Sequence, residues 1–322
     1  MIRTYISALL IAAYVTPGMA VAQEPYPNRP VRLIIPFAPG GSNDVIGRIV
    51  AQKLTGRLGV QVIVDNRGGA SGNIAIDILK RAAPDGYTVL LNSSGIVLTP
   101  ALSSKVPYNL EKDFTPVALI SSVPMVLLVH PGVPVNTINE FVTYAKANPG
   151  KLTYGSAGQG NITHLGVLLL QQATGIDAVH VPYKGAGPAL VEAISGQTQF
   201  VMSTIATAAG VLKDKRLKAL AVTGLKRSPV IPEVPTLSET VAPRFEATTW
   251  QGIMLPAQAS DKVVKRLNSE IMVILQDKDL ESRFAAVGAS PLGSTPQEYR
   301  AYLRNQLQSW SKIIERAGIK KN

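Results

Sequence analysis

The stretch VRLIIPFAPGGSND, residues 31–44, contains the three parts of a strand–turn–helix unit. Its first five residues form an almost entirely apolar run, and apolar residues recur at helical spacing after residue 44. Gly40 and Gly41 leave no side chain between the backbone and a bound group. Because the first N–H groups of a helix lack partners and its dipole favours negative charge, the turn predicts an anion-binding loop. An ordinary strand-to-helix turn remains the alternative.

The polar residues that end this stretch predict how the helix starts. We expect Ser42 or Asn43 to cap the helix, which places Asp44 in its first turn, where the dipole stabilises a carboxylate. Asp44 can then support the loop or hold a water, and a ligand amine or hydroxyl near Asp44 remains the alternative. The N–H groups of residues 40–43 are then expected to face the ligand. The candidate binding residues of this first loop are Phe37, Ala38, Pro39, Gly40, Gly41, Ser42, Asn43 and Asp44.

A second loop, YGSAGQGNITH at residues 154–164, repeats the same arrangement of strand, glycine-rich turn and helix start. We expect its helix to begin near Asn161. Its glycines and hydrogen-bonding side chains exceed what a simple turn requires, so a second anion-binding loop and a simple turn both remain open. The candidate binding residues of this second loop are Ser156, Ala157, Gly158, Gln159, Asn161, Thr163 and His164.

Three further turns follow apolar runs, at residues 92–95, 183–188 and 203–204. Ligands of open α/β sheets collect at the carboxyl ends of the strands, so these turns are candidates for the same site. Lys184 can face a carboxylate, although a solvated lysine is the alternative. The candidate residues of these turns are Ser93, Ser94, Tyr183, Lys184, Ser203 and Thr204.

Short apolar runs alternate with helical patterns along the chain, which favours an α/β protein with mostly parallel sheets flanked by helices. The predicted strands are 31–36, 61–65, 87–92, 117–120, 125–130, 151–154, 178–182, 199–203, 217–223 and 250–255. The predicted helices are 43–56, 72–82, 137–147, 162–174, 187–195, 206–213, 261–276, 279–287 and 296–317. The strand–turn–helix unit recurs without a fixed period, which favours two α/β lobes over a solenoid.

Two segments have a composition suited to a chain that passes from one lobe to the other, residues 116–134 and 242–250. They predict the lobe boundaries. We expect one lobe to comprise residues 23–124 and 246–322, and the other residues 125–245. Two chain crossings between lobes are the geometry of a hinge.

Composition and the N-terminus predict an exported protein. Residues 1–22 have a basic start, an apolar run and a final Ala-Val-Ala, which is typical of a signal peptide cleaved after Ala22. The chain has 322 residues, no cysteine and a net charge of +11. Its basic residues are dispersed, so we expect no nucleic-acid partner and a mild field that favours small anions. No later stretch is long enough to span a bilayer.

Patterns for catalysis are missing from the sequence. It has no phosphate-binding P-loop, no G-x-S-x-G and no histidine pair at metal-ligand spacing. We therefore expect a binding protein with no catalytic residue, no metal and no cofactor. The alternatives are an exported hydrolase or lyase that uses Ser42, Ser156 or Asp44, and a sensor that passes its ligand-bound state to a signalling partner.

An ordered set of motifs across the mature chain resembles the solute-binding proteins of tripartite tricarboxylate transporters, also called the Bug family. These motifs are PFAPGG at 36–41 with Asp44 and Arg48, VDNRGGA at 64–70, DGYT at 85–88, KDFTPV at 112–117, YGSAG at 154–158, HVPYKG at 180–185, LAVT at 220–223, RSP at 227–229, VPT at 234–236, Trp250 and AGI at 317–319. Each motif is weak alone, but the ordered set is specific.

This resemblance implies a two-lobed periplasmic binding-protein fold and a partner made of integral-membrane transporter subunits. It also implies a small organic carboxylate as ligand, with one carboxylate held by the first two glycine-rich loops. Binding proteins commonly work as monomers, so we expect a monomer. Two departures concern the ligand. Asn161-Ile162-Thr163 carries fewer hydroxyl groups than is usual, and residues 202–207 lack the acidic or amide residue that often occurs there. We therefore expect a dicarboxylate, aliphatic or aromatic, and poor binding of aspartate.

Overall fold

The computed structural model describes residues 26–103, 105–316 and 319. The predicted signal peptide and its cleavage after Ala22 lie outside these residues. Within the described part of the chain, no helix is long and apolar enough to cross a membrane.

Strands and helices alternate along the described residues. The strands are β1 (Val31–Ile35), β2 (Val62–Asn66), β3 (Thr88–Ser93), β4 (Phe114–Val129), β5 (Leu152–Ser156), β6 (Ala178–Pro182), β7 (Phe200–Thr204), β8 (Lys218–Val222), β9 (Thr248–Pro256) and β10 (Ser290–Pro291). The helices are α1 (Ser42–Leu58), α2 (Asn73–Lys80), α3 (Gly95–Leu102), α4 (Ile138–Ala147), α5 (Ile162–Thr174), α6 (Ala186–Ile194), α7 (Ile205–Asp214), α8 (Asp261–Leu275), α9 (Lys278–Ala286) and α10 (Pro296–Arg316).

The strands form two sheets that share β4. The first sheet has the order β2-β1-β3-β9-β4, and the second continues from β4 through β7 and β5 to β6. β1 pairs in parallel with β2 and β3, and β5 pairs in parallel with β6 and β7. The pairs that involve β4 or β9 are antiparallel. β8 and β10 also pair antiparallel with β4. Each sheet is therefore mixed, with its parallel pairs on the side away from β4 and β9.

β4 is one continuous strand where the sequence predicts two. Residues 114–124 pair with β9, and residues 125–129 pair with β7 and β8. The polar and proline residues of the segment Ser121–Pro124 end the apolar pattern, but the backbone stays paired with β9 as far as Pro124. Pro124 has no N–H to donate, and it lies where the pairing with β9 ends and the pairing with β7 begins. The strand thus leads directly from one sheet to the other.

Helix α3 is a second difference from the sequence prediction, which treats residues 92–95 as a loop and places no helix after them. Gly95 and Pro100 are poor helix formers, and the apolar residues surround the helix instead of lining one face. Ile96, Val97 and Leu98 are all buried in the main core, and the Tyr108 hydroxyl donates to the Ile96 carbonyl. Tertiary packing, which a periodic pattern does not report, stabilises this helix.

Helix α1 lies directly on the first sheet because Gly47 permits a close approach. A Cβ atom at Gly47 would lie 2.5 Å from Ile35 Cδ1 of β1. The buried face of α1, which includes Ile46 and Leu54, packs in one core with residues of β1, β3 and α8. This packing fixes the N-terminus of α1 at the carboxyl end of β1.

Candidate functional site

A cleft lies between the two sheets, at the carboxyl ends of their strands. Nine residues that the sequence proposes for the site line it: Phe37, Gly41, Ser42, Asn43, Ser93, Ala157, Asn161, Thr163 and Thr204. Three more residues line the cleft. Ile162 and Ala186 lie within proposed loops without being named as candidates, and Thr249 lies outside them.

Helix N-termini converge on this cleft. α1 and α5 reach it with their first two residues, α6 with Ala186 and α7 with its capping residue Thr204. None of the lining residues carries a charged side chain. The positive ends of four helix dipoles therefore face a space that contains no fixed charge, which is a favourable environment for an anion.

The start of α1 differs from its predicted form. Gly41, in an extended conformation, occupies the capping position, and neither Ser42 nor Asn43 caps the helix. The Asp44 carboxylate takes over part of that role because it accepts the Gly40 N–H at 3.1 Å. The Gly40 N–H is therefore not free to face a ligand, contrary to the expectation for residues 40–43.

The Asp44 carboxylate supports the first loop through hydrogen bonds. Besides Gly40, it accepts hydrogen bonds from Arg48 at 2.9 Å and from Asn66 Nδ2 at 3.0 Å, and Asn66 also donates to the Phe37 carbonyl. Burial raises the pKa of Asp44, but the hydrogen bonds from Arg48, Gly40 and Asn66 outweigh it and leave the pKa below its ordinary value. Asp44 thus stays ionised and fixes the loop without lining the cleft.

Free donors remain at the start of α1. The N–H groups of Gly41, Ser42 and Asn43 have no hydrogen-bond partner among the described residues. Asn43 Nδ2 is buried and also has no partner within that part of the chain. Gln251 Nε2 lies 3.4 Å from both Ser42 Oγ and Asn43 Oδ1, while its own Oε1 accepts from Ser121 at 2.6 Å. Gln251, on β9, is a positioning residue that the sequence alone did not reveal.

The second loop is braced by its own side chains. Asn161 caps α5, as expected, and its Oδ1 accepts from both the N–H and the hydroxyl of Thr163. The Thr163 hydroxyl oxygen accepts the Ala157 N–H at 2.9 Å. These bonds occupy the Thr163 hydroxyl, whereas the Ile162 N–H has no partner among the residues described. The loop therefore presents backbone and the Asn161 side chain more than hydroxyl groups.

A stack of rings supports the second loop from behind. The rings of His164 and His180 are 3.9 Å apart, and Tyr154 stacks on His180 at 5.1 Å. His180 Nε2 lies 2.6 Å from the fully buried Ser156 hydroxyl, and Gly160 N–H donates to His164 Nδ1. Burial lowers the pKa of both histidines to about 4, and His180 adds to the effect on His164. Both rings are therefore neutral at physiological pH.

The remaining predicted residues lie around the cleft. Gly158, Gln159, Tyr183 and Lys184 line an adjacent chamber, and Pro39 and Gly40 lie at an outer groove between the lobes. The Ser94 hydroxyl is 3.0 Å from that of Thr249. The hydroxyl of Ser203 is buried and has no partner among the described residues. Ala38 donates its N–H to the Lys184 carbonyl across the cleft.

Thr249 and Ala186 differ in whether the sequence indicates that they line the cleft. Thr249 and Gln251 are the two buried polar side chains of β9, and buried polar residues in a mostly apolar strand indicate a site at that strand. Ala186 offers no side-chain signal, since it enters the cleft through the position of α6. No cluster of three or more His, Cys, Asp or Glu residues capable of holding a metal occurs in the described ranges.

The two sheets, the crossing strand and the cleft between them define a two-lobed periplasmic binding protein. Known structures support this class. The periplasmic binding protein BugD is 33% identical, with a TM-score of 0.89 over 92% of this chain and 100% of that one. The Rpa4515 protein of R. palustris, solved with adipate, is 31% identical, with a TM-score of 0.89 over 92% of this chain and 99% of that one.

The chain belongs to the tripartite tricarboxylate transporter family receptors, whose family model matches residues 46–319. Protein BugT of Bordetella pertussis is 36% identical over 309 residues, which cover 95% of each chain. Members of this family are periplasmic solute-binding receptors, so the chain is a solute-binding receptor and not an enzyme.

The two neutral histidines predict a pH dependence of stability. Their pKa values near 4 in the folded protein lie below the ordinary 6.5. Between these two values the unfolded chain binds more protons than the folded chain, so the free energy of unfolding falls as the pH is lowered. We expect a loss of about 1–3 kcal/mol between roughly pH 7 and pH 5, after allowance for solvent screening, measured by urea unfolding. Asp44 stays ionised throughout this range.

Variants separate this effect from other groups. The double substitution His164→Gln and His180→Gln should lower stability at neutral pH but leave a smaller fall on acidification. His130→Gln is the matched control because His130 lies in the turn after β4, outside the ring stack. An unchanged pH-dependent loss in the double variant would contradict this assignment.

Proposed function

We propose that this receptor captures a small organic carboxylate in the cleft and delivers it to the membrane subunits of a tripartite tricarboxylate-type secondary transporter. The observation that carries the proposal is the convergence of four helix N-termini on a cleft without charged side chains. Such a cleft favours an anion whose charge is met by N–H groups and not by a cation.

The available groups are sufficient for useful affinity. A favourable charge at a helix N-terminus contributes about 0.3–1 kcal/mol, and a hydrogen bond to a charged acceptor about 1.5–3 kcal/mol. The N–H groups of Gly41, Ser42, Asn43 and Ile162, with Asn43 Nδ2, supply several such bonds within a buried space. The cleft can therefore bind the carboxylate of a ligand without a lysine or arginine side chain.

Relatives support the ligand class and the location. The Rpa4515 structure contains adipate, a linear dicarboxylate, and the family description names a tricarboxylate transporter. The signal-peptide pattern of residues 1–22 supports a periplasmic location. The cleft lining contains no acidic side chain to pair with an amine, which favours dicarboxylates over amino acids such as aspartate.

The lobes proposed for the receptor are residues 23–124 with 246–322, and residues 125–245, with β4 as one of the two connections. Two hydrogen bonds between loops on opposite sides of the cleft join the two parts. Ala38 N–H donates to the Lys184 carbonyl at 3.3 Å, and the Ser71 hydroxyl donates to the Gln159 carbonyl at 2.7 Å. Ligand binding at the cleft then favours the closed arrangement, which is the form that a transporter can distinguish.

The carboxylate site is tested by a charge placed in the first loop. Gly41 has an ordinary negative φ, and a Cβ atom added there would lie 3.8 Å from its nearest neighbour, Ala186 Cβ. Both Gly41→Asp and its neutral isostere Gly41→Asn therefore fit the backbone. We expect Gly41→Asp to weaken carboxylate binding about 100-fold more than Gly41→Asn, because its charge repels the ligand in a buried space.

The measurement is titration calorimetry after a thermal-shift screen of mono- and dicarboxylates, in which a bound ligand raises the melting temperature by mass action. Wild-type protein that no carboxylate in the panel stabilises would contradict the proposed function. Equal affinities of the two Gly41 variants would show instead that the first loop does not hold the carboxylate.

Closure of the lobes is tested at Gly187. A Cβ atom there would lie 2.6 Å from the Pro39 carbonyl oxygen across the cleft, so Gly187→Ala should hold the lobes apart. Such overpacking costs about 1–3 kcal/mol, and ligand affinity should fall by the corresponding factor. Gly210→Ala on α7 is the control, since no atom lies within 4 Å of the added methyl group.

Calorimetry gives the affinities, and small-angle scattering with saturating ligand gives the radius of gyration. We expect Gly187→Ala to be more extended than wild type, and Gly210→Ala to match wild type. A Gly187→Ala protein with wild-type affinity and radius would show that closure does not depend on this approach.

A further inference from the structure

A groove separate from the ligand cleft lies beside the second loop and has walls from both proposed lobes. Ser71, Leu102 and Lys105 come from the lobe of residues 23–124 and 246–322, and Gly160 and His164 come from the other lobe. None of the described residues that line this groove also lines the cleft. We call this space the seam groove. Because its walls belong to two lobes, separation of the lobes takes the groove apart and exposes the residues that line it.

Two glycines of the second loop lie directly against the first lobe. A Cβ atom at Gly158 would lie 3.0 Å from Ser71 Oγ, and one at Gly160 would lie 3.0 Å from Leu102 Cδ1. The Ser71 hydroxyl also donates to the Gln159 carbonyl at 2.7 Å. The lobes therefore fit together here only while the backbone of both glycines keeps its position.

The stacked histidines hold these two glycines from behind. The Gly160 N–H donates to His164 Nδ1 at 3.1 Å. The Gly158 N–H donates to the Ser156 hydroxyl oxygen at 3.1 Å, and that oxygen lies 2.6 Å from His180 Nε2. The ring pair thus positions the backbone with which the second loop meets the other lobe.

The bond from Gly160 determines where the neutral His164 ring carries its proton. Since Nδ1 accepts this bond, the proton of the neutral ring is on Nε2. A second proton would have to bind Nδ1, where it would turn the acceptor into a donor that opposes the Gly160 N–H. Charging His164 therefore breaks a hydrogen bond of the loop that meets the first lobe.

The other titratable groups that face His164 offer no partner for its charged form. His180 of β6 lies against the ring, and Tyr154 of β5 stacks on His180. Lys105, in the segment after α3, lines the seam groove with His164, and none of the described lining residues is acidic. Burial lowers the pKa of His164 to about 4, and His180 adds to the effect. Since part of this burial comes from the first lobe, separation of the lobes brings the pKa of His164 closer to its ordinary value.

We propose that His164 is a positioning residue that couples closure of the lobes to the loss of a proton, so that acid weakens ligand binding. A proton on His164 favours separated lobes, whereas a ligand in the cleft favours closed ones. By linkage, each then weakens the binding of the other. The affinity for ligand is highest above the ordinary histidine pKa of 6.5 and falls as the pH is lowered from there. This inference rests on the proposed carboxylate function of the cleft.

The test compares the affinity of three proteins at roughly pH 7 and pH 5, on either side of the ordinary histidine pKa. Wild-type protein, His164→Asn and the control His130→Gln are titrated by calorimetry with the tightest-binding member of a panel of linear dicarboxylates of about four to eight carbons. Asparagine offers an oxygen that can accept the Gly160 N–H in place of Nδ1, and it does not titrate. His130 belongs neither to the ring stack nor to the seam groove. Protonation of the ligand itself is common to all three proteins and cancels in the comparison.

We expect the affinity of wild type to fall about three- to tenfold more than that of His164→Asn over this range, and His130→Gln to match wild type. The same pH dependence in wild type and His164→Asn would overturn the proton linkage while leaving the carboxylate function intact. If wild-type protein binds no member of the panel, the proposed function itself fails.

A second measurement needs no variant protein. The chain has three histidines, so an NMR titration of their rings with and without saturating dicarboxylate gives the pKa of His164 in both states. We expect the pKa of His164 to be higher without the ligand. Equal values in the two states would contradict the inference.

Discussion

The structure depends on one constraint, which is that four helix N-termini converge on a cleft whose lining residues carry no charged side chain. N–H groups and helix dipoles act over short distances, so their value depends on fixed positions. The two main loops are fixed accordingly. Asp44 and Asn66 hold the first loop, and Asn161 with Thr163 holds the second. The charged and polar side chains near the cleft thus act mainly as supports.

Support extends to a second layer on both sides of the cleft. Gln251 on β9 joins the start of α1 to Ser121 of β4, and His180 supports the second loop through Ser156. β4 belongs to both sheets, so it connects the sheet of Gln251 to the sheet that carries Ser156 and His180, with β7 between β4 and β5. A movement of one sheet relative to the other at the end of the first segment of β4 can therefore change the cleft while each loop keeps its internal hydrogen bonds.

The local parts of this arrangement could be predicted from the sequence. Apolar periodicity predicted nearly all of the strands and helices, and glycine and polar residues after strands predicted both main loops. Nonlocal parts could not. Helix α3 has no amphipathic pattern because it is buried on all sides, and Ala186 enters the cleft only because α6 is placed there. The sequence predicted that Asp44 supports the loop but not its partner Asn66, which lies on β2. Contacts between residues that are distant in the sequence cannot be predicted from local patterns, even when each residue type is typical of a binding site.

The most direct measurement compares a dicarboxylate that the protein binds with the diamide of the same acid, by titration calorimetry on wild-type protein. The two ligands share length and shape, but the amide has no charge and adds N–H donors where the cleft already presents donors. We expect the diamide to bind at least about 100-fold more weakly, since charge-assisted hydrogen bonds are lost and donors are opposed. Equal affinity for the two ligands would contradict an anion-binding cleft.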